Sequence, residues 1–200
     1  MQSDTNQDFR TAGYTLLVTS VLAIVLMINH PTAVNGAGPA GFVHGSLQLC
    51  VLIQVAVFTL ATQRLAQGRL FRLMLVVLPF VAGSAAGLIA ATINGFAVPT
   101  MLAYPAPGVG PDVKIMAWEL NQVFARLGVI ACGIGIAGLS AMLWQHQHRL
   151  VALAGFAAGL IPAILLLLGH TDMKLFGAIL AYSSQLAWLA LLGGWLARRA

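Results

Sequence analysis

The chain has 200 residues, 60% hydrophobic and only 8% charged, with a formal net charge of +5 and a mean hydropathy of +0.90. Soluble domains carry about 25% charged residues, so this composition excludes a soluble globular fold and indicates an integral membrane protein. No room remains for a separate soluble domain. A basic balance that would suggest nucleic acid in a soluble chain has a topological cause here, and no nucleic-acid partner is expected.

The chain opens with Asp4 and Asp8 beside a single arginine, Arg10, and no small-residue cleavage site ends the apolar stretch that follows. The first segment therefore reads as a retained helix rather than a signal peptide. Crossing a hydrocarbon core of about 30 Å takes roughly 20 apolar residues. Six stretches meet that length: 12–29, 44–62, 71–95, 116–143, 150–169 and 175–197. Backbone polar groups cannot be left bare in lipid, so the expected fold is an all-α six-transmembrane-helix bundle, a single domain over 1–200.

The connections are marked by turn residues. His30-Pro31, Asn35-Gly36 and Pro39-Ala40-Gly41 punctuate the first, and Arg64–Arg72 form the second. Residues 97–113, with Pro99, Pro105, Pro107 and Pro111, predict a longer loop over the bundle mouth. Gln145–Arg149 and Gly169–Lys174 are short polar turns. Gly83-x-x-x-Gly87 and Gly155-x-x-x-Gly159 have the spacing of close helix-contact faces. Cys50 and Cys132 lie in apolar segments and read as buried free thiols.

Arg10, Arg64, Arg69, Arg72, Arg149, Arg198 and Arg199 fall on one side of this six-span arrangement, and only Lys114 and Lys174 on the other. The positive-inside tendency then puts both termini in the cytoplasm, in a plasma or inner membrane. Trp118 marks the outer interface and Trp144 and Trp195 the inner one, while Trp188 is a packing residue. His146 and His148 read as members of a solvated or lipid-facing cytoplasmic turn.

The outer side gathers the coordinating chemistry: His30, His44, Asn94, Glu119, His170 and Asp172. Glu119, Gln122 and Arg126 are spaced i, i+3 and i+7 and share one helical face. A central intramembrane arginine costs about 2.5–3.5 kcal/mol even on insertion scales, so Arg126 is expected to face the bundle interior. There it would hold an anionic group or orient Glu119, and these two are the candidate catalytic residues. His44 with Gln48, Asn94, Gln122, Arg126, and Tyr182 with Gln185 are candidate ligand-binding groups.

His30, His44 and His170 with Glu119 form a candidate metal set, with Asp172 supporting His170. Zinc fits histidines and a carboxylate, whereas Met27, Met101, Met116 and Met173 nearby would suit copper. The bland alternative is interfacial histidines at helix ends. Haem fits less well, because the histidines do not oppose one another inside helices and no CxxCH motif occurs. The expected function is binding of a metal ion or small anionic ligand in an outward-facing polar cavity of a protein embedded in the lipid bilayer, with metal-assisted chemistry as an extension. A non-catalytic membrane subunit or assembly partner, or a small transporter, are the alternatives. Homo-oligomerisation is left open.

Overall fold

The computed structural model describes residues 2–29, 37–103 and 110–199. His30, Pro31, Asn35, Gly36, Pro105 and Pro107 lie outside the described residues. The chain forms α1 (Gln2–Ile28), α2 (Ala37–Ala66), α3 (Leu70–Thr92), a π-helical turn (Ile93–Ala97), α4 (Val98–Ala103), α5 (Pro111–Gln145), α6 (Arg149–Leu167) and α7 (Leu175–Arg199). Among the described residues there is no strand, and six helices are long and apolar enough to cross a membrane. Large apolar side chains cover the perimeter, among them Val18, Leu49, Phe71, Leu78, Leu150 and Phe176. A surface of that kind needs lipid rather than water around it.

Small residues let the helices approach. A Cβ on Gly13 would stand 2.8 Å from Gly193 O, so α1 and α7 run backbone to backbone with both termini at one end. A Cβ on Gly133 would fall on the Gly159 carbonyl oxygen, which joins α5 to α6 in the same way. Gly83 lies against Gly128 and Cys132 of α5. Both glycine pairs read from the sequence are therefore contact faces, as lipid-embedded packing requires. Between the helices, Phe58 and Phe80 stack with centroids 3.7 Å apart. Trp188 is buried and its indole N–H donates to Val151 O at 2.9 Å, the packing role expected of it. Both cysteines are free thiols.

The expected arginine side is the termini end. Arg64 lies in the last turn of α2, Arg69 and Arg72 flank the start of α3, and Arg149 begins α6.

The region at the other end differs from the expected helix-then-loop arrangement. Residues 97–113 are not one loop: the third span runs from Leu70 to Ala103, and α5 begins at Pro111 rather than 116. Pro99 explains the form of that continuation. In an unbroken α-helix its ring would strike the carbonyl four residues back. The π-helical turn widens the backbone there, with Val98 N–H reaching back to Ile93 O. Pro111 suits the first helical position, where its missing N–H is not needed. Similarly, α2 starts at Ala37, not 44, which places His44 well inside a helix rather than at its end.

Length sets the depth of each residue. At 1.5 Å per residue, α6 spans about 28 Å, one apolar band, whereas the 35 residues of α5 rise about 52 Å. The Gly133–Gly159 contact fixes the register of this antiparallel pair, and Ala125 packs in one buried cluster with Leu166. Arg126 therefore stands level with the far end of α6, at the edge of the apolar band. It is exposed on the outside of the bundle and makes no ion pair or side-chain hydrogen bond with a described residue. This corrects the expectation that Arg126 faces the bundle interior, since its side chain lies on the outer surface of α5.

Candidate functional site

At the end away from the termini, α1, α2, α3, α5 and α7 enclose a cavity of about 260 Å³. Its position follows from the overshoot: α2, α5 and the α3–α4 helix continue past the end of α6, and polar residues line their facing sides. His44, Gln48, Asn94, Asn121, Gln122 and Tyr182 provide the polar wall. Met27, Val51, Leu88, Met173 and Ile179 are among the apolar residues of the remainder, and no charged residue among the described ones lines it.

His44 is buried, and the π-helical turn holds it. A Cβ on Gly95 would coincide with the His44 side chain, so only glycine lets the imidazole lie against that backbone. The ring Nδ1–H donates to Ala40 O at 2.7 Å. A carbonyl can only accept, so Nδ1 carries a proton. Nδ2 of Asn94 approaches that Nε2 at 3.4 Å. One turn along α2, Gln48 Nε2 donates to Thr92 Oγ1 at 2.8 Å and Leu88 O at 3.3 Å. His44 and Gln48 thus share the face their spacing predicts and bind α2 to the distal part of the third span.

On the facing wall, Tyr182 Oη donates to Ala125 O at 3.4 Å, and Gln185 Nε2 to Val129 O at 2.9 Å. Tyr182 lines the cavity, whereas Gln185 is buried below it and fastens α7 to α5. Of the expected trio on α5, Gln122 alone lines the cavity; Glu119 and Arg126 are exposed away from it. The helical offset accounts for this split. Residues seven apart stay nearly in register at 100° per residue, whereas Gln122 is turned by about 60° toward α3 and α7.

The other expected ligands do not join this cavity. His170 is exposed, beyond the end of α6, where its backbone N–H closes a Schellman turn to Leu165 O at 2.9 Å. Asp172 does not support His170. Its Oδ1 accepts from the Lys174 backbone N–H at 3.1 Å, and its Oδ2 lies 3.5 Å from Lys174 Nζ. Among the described residues no group of three His, Cys, Asp or Glu side chains stands together as a metal site; His30 lies outside them.

Asn121 is the site residue that the sequence reading missed. It is only 7% exposed, lines the cavity, and makes no side-chain hydrogen bond to a described residue. The signal was present: Trp118, Asn121 and Ala125 repeat at i, i+3 and i+7, and all three line the cavity.

No family model, curated protein or solved structure matches this chain.

Proposed function

We propose that this polytopic membrane protein binds an uncharged, largely apolar small molecule in the cavity between α2, α3, α5 and α7. A polar end of the ligand meets Asn121 and Gln122, and its apolar body lies among Met27, Val51, Leu88 and Ile179. The supporting observation is Asn121, which lines the cavity and makes no side-chain hydrogen bond to a described residue. An amide open to the cavity can bond a ligand, a contact worth about 0.5–1.5 kcal/mol net. The wall holds amides, a phenol and an imidazole, and among the described residues neither carboxylate nor guanidinium, so it suits a carbonyl or hydroxyl better than an ion. Its volume falls just below the range of about 300–1,000 Å³ usual for ligand pockets. With the arginine-rich termini end cytoplasmic, the cavity lies toward the outer leaflet.

Titration of the detergent-solubilised protein with an uncharged fluorescent naphthylamine tests this reading. Saturable binding at one site, abolished by Ala178→Phe in a folded protein, is the expected result. Absence of saturable binding, or binding that Ala178→Phe leaves intact, contradicts it.

A further inference from the structure

A second cavity, of about 210 Å³, lies at the opposite end of the bundle, beside the termini. Arg64 and Leu65 come from the last turn of α2, His146 and His148 from the α5–α6 turn, and Trp195 from the end of α7. Local backbone chemistry places the two histidines. α5 ends in a Schellman turn, with His148 N–H bonded to Leu143 O at 2.9 Å, Gln147 N–H to Trp144 O at 3.1 Å, and Gln147 at φ 65°. His146 then reaches Leu65 O through Nε2 at 3.3 Å, and the His148 ring packs edgewise on Trp195 with centroids 4.7 Å apart. Both histidines stand at the α5–α6 turn, and both are half-buried.

The polar groups of this wall are donors, or become donors on protonation. The Arg64 guanidinium lies 4.2 Å over the Phe9 ring and makes no hydrogen bond or ion pair with a described residue. Trp195 Nε1 is buried and has no acceptor among the described residues. Among the described residues no carboxylate lines the cavity. Asp8, next to Phe9, is exposed and makes no ion pair among the described residues. An indole N–H can only donate and a guanidinium can only donate, so what completes this site must accept. A tetrahedral oxyanion meets that need, because two of its oxygens match the planar guanidinium fork while another remains for the indole.

We propose that this pocket binds a phosphate group, with Arg64 as its charge partner and the Trp195 N–H as a second donor. The shared chemistry is that of a phosphate oxyanion, carried either by a lipid headgroup or by free phosphate. Arg69, Arg72, Arg149 and Arg198, exposed at the same end, raise the local concentration of either anion without entering the site.

The test is native mass spectrometry of the detergent-purified full chain with phosphatidylglycerol or phosphatidylcholine of matched tails. A ¹⁵N spectrum resolving the Trp195 indole accompanies it. Phosphatidylglycerol should be retained at about tenfold lower concentration than phosphatidylcholine. Arg64→Gln should remove that preference while Arg72→Gln, whose side chain bonds Gln145 outside the pocket, keeps it. Trp195→Phe, which retains an aromatic ring and deletes the donor, should weaken retention several-fold. If inorganic phosphate moves the Trp195 resonance and displaces the lipid, the occupant is free phosphate; if the lipid alone moves it, the occupant is a headgroup. A Trp195 resonance that neither ligand moves, or equal losses from Arg64→Gln and Arg72→Gln, would overturn the proposal.

Discussion

Asn94 Nδ2 lies 3.4 Å from Nε2 of His44, joining the π-helical turn to the N-terminal third of α2. The contact exists because α2 starts early, because Pro99 opens the backbone of the third span, and because Gly95 carries no side chain. Each of these is a backbone property, and together they set one wall of the cavity.

Gly95→Leu is the most direct challenge to that wall. Even a Cβ at this position would overlap His44, and overpacking of this kind costs about 1–3 kcal/mol. Thermal unfolding in detergent should show a lowered midpoint, and naphthylamine binding should be lost. Unchanged stability and binding would show that the π-helical turn does not position His44.

Arg126→Leu should leave the fold, the melting midpoint and probe binding nearly unchanged, with a stability change within about 0.5 kcal/mol. Exposure at the edge of the apolar band predicts this tolerance. Loss of folded protein in size-exclusion chromatography would return Arg126 to the interior.

This arginine also shows what the sequence could and could not reveal. Counting from the distal end of its apolar stretch puts Arg126 deep in the membrane. Counting back from Gln145 along a helix of 35 residues puts it at the boundary. The six spans were legible because each needs a long apolar run, and 150–169 matches Arg149–Leu167 closely. The continuation through Pro99 was not legible, because proline marks a loop far more often than a widened helix. On the site, the facing of His44 and Gln48 followed from spacing alone. The separation of Gln122 from Glu119 and Arg126 depended on which neighbours α5 packs against, and periodicity carries no record of that.

Gly133→Leu should be among the most damaging substitutions in the chain, because its Cβ would meet the Gly159 carbonyl. Loss of more than about 2 kcal/mol is expected from forced separation of α5 and α6. Gly194→Ala is the matched control: nothing lies within 4 Å of a Cβ there. It should be neutral or stabilising by up to about 1 kcal/mol. Parallel melting curves check both.

Gln185→Met keeps the side-chain volume and deletes the 2.9 Å bond to Val129 O. A loss of about 0.5–1.5 kcal/mol is expected, with probe binding retained, since Gln185 does not line the cavity. Lost binding in a folded Gln185→Met protein would extend the site beyond its present wall.

Asn121→Leu should weaken the naphthylamine probe about tenfold if the buried amide bonds its nitrogen, from the loss of roughly one hydrogen bond. Stability should be nearly unchanged, because no side-chain hydrogen bond to a described residue is lost. A stability loss with unchanged affinity would make Asn121 a packing residue.

Ligand protection of a cysteine placed in the cavity tests the central claim most directly. Ala178→Cys lines the cavity and Asp112→Cys is exposed at the same end of α5; each is labelled with a small thiol reagent, with and without saturating naphthylamine. Labelling at Ala178→Cys should be slowed about tenfold or more by the probe, as expected for high occupancy, with no change at Asp112→Cys. Equal labelling rates with and without the probe at Ala178→Cys would contradict it.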